Sequence, residues 1–315
     1  MKKLIMISLF TILVVSFLSA SVEEDLEKFA EENGKGYIQP FVNAFSANLN
    51  TGLYNTAKVL KPLRFGFSLN TMAAIIPDDG KTFMAKRPEI KDPITGEYLY
   101  EPEEIETATF FGDEGKSFSL QGTDYTNLDD IEMPDGADFP AAPLFIPQIN
   151  LGVIGGNEIM VRYIPKVQIN DEIGKMGYYG IGLKHSVSQH LPGIIPIDLA
   201  LQGAYQNFTV GDIINMNSIT GNVQISKKLL MWTLYGGIGY EKTTMEVDYE
   251  TETYQYNEVD NEFEMQTQEI SFDLESENEL RATVGFRYSL LFLKINADYS
   301  LCKYPVANLG IGLSF

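Results

Sequence analysis

The feature that most constrains this chain is an alternation of apolar with polar or small residues, which recurs from residue 63 to the C-terminus. It is clearest in residues 280–290, where every second residue from Leu280 to Leu290 is apolar or tyrosine. A period of two is typical of a β-strand whose two faces meet different surroundings. The pattern predicts ten strands, at residues 63–75, 147–155, 157–169, 177–190, 196–210, 215–228, 230–248, 270–289, 290–302 and 305–315.

Two kinds of protein show this alternation, a transmembrane barrel and a soluble β-sandwich or soluble barrel. The polar faces of the predicted strands carry few charges, whereas the outside of a soluble barrel is charged. Tyrosine and tryptophan recur on the apolar face near strand ends, where membrane barrels carry aromatic girdles. Most strands have the ~9–11 residues that a tilted strand needs to cross hydrocarbon. The sequence therefore predicts an all-β fold, a transmembrane antiparallel β-barrel of about ten strands.

The first 21 residues have the three parts of an export signal: Lys2 and Lys3, an apolar run over residues 4–18, and small residues at 19–21. The run is shorter than the ~20 apolar residues of a spanning helix, so we predict cleavage near Ala20 or Ser21. Apolar residues recur at helical spacing over residues 22–57 and predict a helical segment in two pieces, separated by Gly34 and Gly36. Residues 58–315 form the predicted barrel, in the bacterial outer membrane.

The order of strands also predicts a topology. When the first strand starts at the periplasmic side, short connections such as residues 155–156 and 227–230 lie in the periplasm. The two long connections, residues 76–146 and 249–269, then lie outside the cell, as outer-membrane barrels prefer.

Acidic residues dominate the charge of the chain. The formal net charge is −20, and 30 of the 43 acidic residues lie in residues 76–146 and 245–279. This charge repels nucleic acid, which is not an expected partner. Charged, solvated loops explain the acids, and the alternative is bridging by divalent cations to anionic lipopolysaccharide, because Ca²⁺ binds carboxylate oxygens. The densest group, between Asp129 and Asp138, lacks the spacing of a calcium loop, so no metal site is predicted.

Strand parity places several charged side chains inside the barrel. In a barrel of this width, a packed lumen in which these charges pair with each other is favoured. The alternatives are a pathway that favours anions, or a basic socket for the acidic helix of residues 23–32. The lumen-facing candidates are Arg64, Arg162, Lys166, Lys184, Asp198, Arg281, Arg287, Lys294 and Asp298.

One cluster, between His185 and His190, contains residue types that could support catalysis. Alternation places His185 on the face opposite Ser186 and Ser188, and the chain has no Gly-x-Ser-x-Gly turn. Two histidines and one cysteine are too few for a typical zinc site. We therefore predict no enzymatic activity, no cofactor and no bound metal.

Both ends of the chain resemble known outer-membrane proteins. Residues 304–315 alternate and end in Phe315, which resembles the terminal strand that the barrel-assembly machinery recognises. Residues 36–54 and 63–70 resemble a family of uncharacterised bacterial outer-membrane barrels, which is distantly similar to the transporters of long-chain fatty acids and other hydrophobic compounds. That resemblance implies a barrel whose N-terminal helical segment enters the lumen as a hatch. The transporters have fourteen strands, and the runs 107–111 and 117–121 offer one further pair here.

The resemblance and the aromatic residues together suggest a function, which is binding or transport of a hydrophobic small molecule. The alternatives are a structural or surface-interaction barrel without transport and, less favoured, a lipid-modifying barrel enzyme. Outer-membrane lipid and the assembly machinery are the expected partners in each case. The candidate ligand contacts are Phe29, Tyr37, Phe41, Phe45, Phe110 and Phe111.

Overall fold

The structure is a computed structural model that describes residues 31–87, 103–119, 131–170, 174–191, 196–257 and 262–315. The predicted signal peptide and Phe29 lie outside these residues, so the export signal stays a prediction. No helix in the described part of the chain is long and apolar enough to cross a membrane.

One α-helix, two short 3-10 helices (Asp78–Gly80 and Ser188–His190) and fifteen strands make up the described elements. The helix is α1 (Glu31–Leu49). The strands are β1 (Phe65–Ile75), β2 (Thr82–Lys86), β3 (Glu104–Ala108), β4 (Ser117–Phe118), β5 (Ile131–Glu132), β6 (Ala141–Val153), β7 (Asn157–Asn170), β8 (Gly174–Ser186), β9 (Asp198–Val210), β10 (Ile214–Leu229), β11 (Trp232–Asn257), β12 (Glu262–Glu275), β13 (Leu280–Leu290), β14 (Leu293–Leu301) and β15 (Val306–Ser314).

Ten strands close into an antiparallel barrel. The neighbours run β10-β9-β8-β7-β6-β1-β15-β14-β13-β11, and β11 pairs back with β10. The first and last strands meet in register, with Gly66 opposite Ser314 and Ala74 opposite Val306. β12 lies outside this count, because it pairs with the far part of β11 while β13 pairs with the near part. The predicted ten-stranded β-barrel is therefore confirmed.

The structure differs from the predicted strands in several places. The strand predicted at residues 270–289 is divided between β12 and β13, and the strand predicted at 147–155 begins earlier, at Ala141. The segment predicted as a loop at 249–269 is largely a hairpin, because β11 continues to Asn257 and pairs with β12 beyond the barrel. The runs 107–111 and 117–121 do not enter the barrel wall. They contribute to two small two-stranded sheets, β2 with β3 and β4 with β5. Their pairings are only five and two residues long, and these strands lack the long alternation that marks the wall.

The two ends of the barrel differ. The long segment between β1 and β6 and the β11–β12 hairpin are at one end, which we call the loop end. The connections 154–156, 187–197, 230–231 and 291–292 are at the other, which we call the turn end. The arrangement agrees with the short and long connections expected from the sequence.

The wall is apolar outside and polar inside over its turn-end half. On β1, Phe65 and Phe67 are exposed, whereas Ser68 and Asn70 are buried. Such a surface is the reverse of a soluble barrel and is suited to hydrocarbon. Other large apolar side chains exposed on the wall are Ile149, Ile181, Leu183, Ile219, Val223, Ile238, Val284, Phe286 and Ile311.

A charge on this outer surface is expected to destabilise the barrel in lipid. Val284 is 65% exposed and lies in the middle of the outward apolar positions of β13. We expect Val284→Arg to lower the free energy of unfolding by about 2–4 kcal/mol in lipid vesicles, because Arg near the bilayer midplane is poorly solvated. Met84→Arg, on exposed β2 outside the barrel, should change it by less than about 0.5 kcal/mol. Equal losses in urea titrations of the two variants would contradict a lipid-facing β13.

Candidate functional site

The barrel lumen contains α1 and the irregular chain after it, and we call residues 31–61 the plug. The helix starts among the loop-end segments, where the Nδ2 of Asn33 donates to the carbonyl of Lys86 at 2.8 Å. Its last turns lie between opposite sides of the wall. The Oγ of Ser46 donates to the Oγ1 of Thr243 on β11 at 2.8 Å. The Nδ2 of Asn48 donates to a backbone carbonyl of β6, also at 2.8 Å.

Small side chains let a helix fit within this narrow barrel. An α-helix with its side chains is about 10–12 Å across. Ala44 and Ala47 of α1 are fully buried, and so are Ala74 and Ala142 of the wall. Backbone and wall therefore approach closely without a large void between them.

The helix is continuous, contrary to the predicted break at Gly34 and Gly36. A Cβ on Gly36 would lie 2.3 Å from the Cδ2 of Phe83 on β2, so the absent side chain makes room for an aromatic ring. Glycine at this position lets the ring of Phe83 pack against the helix backbone, and it does not end the helix. The start of the plug is also held by Lys86, whose Nζ donates to Glu32 at 2.8 Å and lowers the pKa of that exposed carboxyl.

The loop-end half of the lumen is apolar and closely packed. The rings of Phe41 and Phe45 stack with centroids 4.2 Å apart, and Phe110 contacts Phe41 edge-to-face at 5.3 Å. The ring centroid of Phe110 is also 5.0 Å from that of Phe111 and 6.3 Å from that of Tyr37. All five side chains are 2% exposed or less. The predicted ligand contacts thus lie together, and they fill the space between plug, loop and wall with each other.

Two arginines bind the C-terminal end of α1. Arg162 of β7 is fully buried, and it donates to the carbonyls of Leu49 and Thr51 at 2.9 and 2.8 Å. Its Nε donates to Gln148 at 2.8 Å, and Gln206 accepts a further bond. The negative end of a helix dipole favours a cation, so the plug itself compensates the charge of Arg162.

Arg281 of β13 is the second of these arginines and has a carboxylate partner. Its Nε and Glu241 of β11 form a buried ion pair at 2.8 Å. The same guanidinium donates to the carbonyl of Ala47 at 2.8 Å and to the Oγ1 of Thr51 at 2.6 Å. The plug is therefore joined to the wall by charge-assisted hydrogen bonds at the middle of the barrel.

A cavity of about 460 Å³ lies between the end of the plug and the turn end of the wall. Glu158 of β7 is buried there. It pairs with Lys184 of β8 at 2.7 Å and accepts hydrogen bonds from Asn150 and the backbone N–H of Leu60. The other charged side chains on the cavity wall are Lys58, Lys61, Arg64, Lys228, Arg287 and Lys294.

The remaining predicted lumen residues have different places. Asp298 is buried and accepts hydrogen bonds from Tyr235 and Asn308, both at 2.7 Å. Asp198 lies half-buried at the start of β9. The prediction for Lys166 does not fit the structure, because its side chain is exposed. A register shift between Ile164 and Val167 inserts a bulge in β7, which reverses the alternation at this point.

The chain matches over residues 1–315 the model of a protein family described as "Family of unknown function (DUF6588)". The chain belongs to this family. No curated protein matches it.

Similar solved structures include barrels from three bacteria. The chain is 10% identical to Ail, the attachment invasion locus protein of Yersinia pestis, with a TM-score of 0.23 over 81% of this chain and 99% of that one. It is 9% identical to OmpT, an outer membrane protein of Vibrio cholerae, with a TM-score of 0.25 over 80% and 98%. CdiB from Acinetobacter baumannii is 13% identical, with a TM-score of 0.19 over 81% and 60%. The ten-stranded fold of this DUF6588 protein is therefore described from its own strand pairing and not from these similarities.

Several charged residues of the lumen were missed by the sequence interpretation. Glu158 shares the inward face of β7 with Arg162, so strand parity was a sufficient signal for it. Lys58 and Lys61 precede the first strand and have no parity, and only the return of the plug along the wall brings them to the cavity.

The histidine and serine cluster is at the turn end. Ser188 is hydrogen-bonded to the backbone of Leu199, and the two histidine Nε2 atoms are 3.3 Å apart. The Nδ1 of His185 is 2.8 Å from the Oδ1 of Asn157. The described contacts thus join the serine to backbone and the histidines to each other.

Proposed function

We propose that this protein is an outer-membrane barrel that is closed at rest by its own N-terminal plug and opens when the plug moves. The observation that carries this proposal is the path of residues 31–61, which enter the lumen at the loop end and leave it at the turn end. No strand of the wall includes them. In narrower barrels the side chains of the wall fill the lumen, whereas here a separate segment fills it and can move without breaking the pairing of strands.

The kind of contact between plug and wall also supports movement. Below the aromatic cluster, side chains of the plug are joined to the wall by hydrogen bonds, including Asn50 to Ser218 at 2.9 Å and Thr56 to Ser226 at 3.1 Å. Water can replace such bonds at a small net cost, about 0.5–1.5 kcal/mol each. The last residues of the plug and the segment up to Arg64 lead to β1 and include exposed Lys58 and Lys61, so they can serve as its tether.

A hydrophobic small molecule is the cargo that the lumen favours. The loop-end half of the wall is lined by apolar side chains, among them Met72, Leu144, Phe208 and Met216. Outer-membrane channels for polar solutes have polar interiors, so an apolar half indicates a different cargo. In the closed state Phe41 and Phe45 of α1 occupy this region. Displacement of α1 would expose an apolar, concave surface of the kind that binds such molecules.

The alternative is a structural or surface-interaction barrel in which the plug never leaves. The closed packing of the aromatic cluster favours that alternative, because it contains the residues expected to bind the ligand. Catalysis is not part of the proposal, and neither is a cofactor. The assembly machinery stays an expected partner, through the strand that ends at Phe315.

A reversible tether between plug and wall tests the proposal. Ser46→Cys with Thr243→Cys joins two positions whose hydroxyl oxygens are 2.8 Å apart, and Cys302→Ser removes the only native cysteine. In planar lipid bilayers we expect voltage-driven openings in the reduced protein, none after oxidation, and recovery with reductant. Ser46→Cys alone, which cannot cross-link, is the control. Openings that persist after oxidation would rule out the plug as the gate, and their absence in the reduced protein would favour the structural alternative.

The cargo is tested in two steps by mass spectrometry. The first identifies lipids that co-purify with the protein from cells. In the second, the oxidised, tethered protein and the reduced protein are each incubated with a fatty acid, and we expect the oxidised protein to retain less of it. Equal amounts in the two states would remove the hydrophobic cargo while leaving gating untouched.

Proteolysis of intact cells tests the expected orientation. We expect added protease to cut within residues 76–140 or 249–269 at the loop end, because these segments lie outside the membrane in the proposed topology. Lys227, near the end of β10 at the turn end, should be spared until the outer membrane is permeabilised. Cleavage at Lys227 in intact cells, with the loop-end segments protected, would invert the barrel.

A further inference from the structure

The cavity at the turn end is strongly basic. Of the charged side chains on its wall, Glu158 is the one carboxylate, and it is paired with Lys184 at 2.7 Å. Six cations remain: Lys58, Lys61, Arg64, Lys228, Arg287 and Lys294. Within the described part of the chain, no ion pair joins any of these six to an acidic side chain. The whole chain has a net charge of −20, so the positive charge of the cavity is opposite in sign to that of the protein.

Arg287 indicates that these cations serve more than surface solubility. It is partly buried on β13, and its Nη1 donates to the Oδ1 of Asn55 in the plug at 2.8 Å. Its Nε is buried and has no hydrogen-bond partner among the described residues. A buried donor without an acceptor costs free energy, and that cost rises for a charged group. An anionic oxygen in the cavity would remove it.

Like charges confined in one cavity repel each other, and the repulsion grows where protein replaces water. A multivalent anion relieves several of these repulsions at once, whereas a chloride ion relieves one. Phosphate matches this arrangement, because guanidinium groups and lysines are its usual partners in proteins. The cavity has room for more than phosphate alone, since ligand pockets of about 300–1,000 Å³ bind small organic molecules. Leu53, Tyr54 and Leu60 of the plug give it an apolar side.

We propose that the turn-end cavity is a binding site for a phosphate group carried by a small organic molecule, with Arg287 and Lys294 as its central contacts. The phosphate belongs either to a soluble phosphomonoester or to the headgroup of an anionic phospholipid. Both have the same chemistry toward these side chains. The site is formed by the plug and the wall together, and binding to the closed barrel requires no movement of the plug.

Calorimetry of the full-length protein in an uncharged detergent tests this site. Its soluble probe is glycerol 3-phosphate. A separate lipid arm places the protein in nanodiscs of phosphatidylcholine alone or in nanodiscs that also contain phosphatidylglycerol. Native mass spectrometry then measures the lipid bound to the protein. Because two charge-assisted contacts are lost, Arg287→Gln with Lys294→Gln should weaken binding in the responsive arm by about tenfold or more. Lys81→Gln with Lys303→Gln, a half-buried and an exposed lysine at the loop end, should leave it unchanged within about twofold.

The outcomes separate clearly. Binding of glycerol 3-phosphate that depends on Arg287 and Lys294 supports a soluble ligand, and dependence seen only with phosphatidylglycerol supports a lipid headgroup. Absence of binding in both arms, or equal loss in the loop-end control, would overturn the site. If the double variant does not fold, as judged by heat-dependent migration in gels, Lys61→Gln with Arg64→Gln at the exposed rim replaces it. That pair should weaken binding by about threefold, because two cations are lost from the rim while the central contacts of Arg287 and Lys294 remain.

Discussion

A protein that lacks residues 22–57 should conduct ions at least about tenfold better in planar bilayers than the full-length chain. The deletion removes α1 and the segment that follows it, whose side chains fill the lumen between Tyr37 and Thr56. A ten-stranded wall is wider than the eight-stranded barrels that side chains alone can fill. Arg162 and Arg281 would then face water in place of helix carbonyls, so the opened pore should also favour anions over cations.

The deletion also exposes the apolar loop-end half of the lumen, so it can impair folding. A second variant avoids this problem, with a specific protease site inserted after exposed Lys61 and cleaved after the barrel has formed. The cleaved plug should leave in mild denaturant and conductance should rise, while the uncleaved protein stays closed under the same conditions. A folded barrel that remains closed after the plug has left would show that the wall itself blocks the lumen.

Strand positions were predictable because a membrane barrel imposes two different solvents on the two faces of each strand. The strand predicted at residues 270–289 ends within one residue of β13, because alternate residues from Leu280 to Leu290 lie on the apolar outer face. Its predicted start was wrong by ten residues, because residues 270–275 belong to β12. The same signal failed beyond the barrel wall. β11 was expected to end at residue 248 and continues to Asn257, paired with β12, where the sequence no longer alternates between apolar and polar residues.

The lumen was predictable in its members but less so in its pairings. Parity placed Arg162, Arg281 and Asp298 inside, where the structure has them. Their partners could not be inferred from the sequence. Arg162, for example, binds backbone carbonyls of the plug, and every residue type has such a carbonyl. Lys166 shows the limit of parity itself, since one bulge reverses the assignments that follow it up to the next register shift.

The acidic helix and the basic lumen illustrate a related limit. The sequence offered a basic socket for the acidic residues at the start of the helix, with attraction between side chains of opposite sign. Glu32 instead binds Lys86 at the loop end, and the lumen arginines bind the opposite end of α1. Opposite net charges on two segments did not determine which atoms are in contact. The carbonyls at the C-terminal end of a helix carry partial negative charge, and a count of charged side chains omits them.

Replacing Arg281 with methionine is expected to lower the free energy of unfolding by about 3–5 kcal/mol. Glu241, which is fully buried, would lose its ion-pair partner at 2.8 Å and would remain as an uncompensated charge. The double variant Arg281→Met with Glu241→Leu should recover most of that loss, because it removes both charges and leaves apolar volume. Urea unfolding in lipid vesicles, followed by tryptophan fluorescence from Trp232, measures each value.

Two comparisons show whether the plug contributes to this energy. Lys242 follows Glu241 on β11 and points to the opposite face, where it forms an exposed ion pair with Glu275. Lys242→Gln removes that pair and should lower the free energy of unfolding by less than about 1 kcal/mol. Glu241→Gln should cost less than Arg281→Met, because Arg281 keeps its bonds to Ala47 and Thr51 and the dipole of α1 still compensates its charge. In the protein without residues 22–57 this advantage should disappear, since the carbonyls are gone. If Glu241→Gln and Arg281→Met are equally destabilising with the plug in place, the helix end does not stabilise the guanidinium, and the wall alone holds the charge.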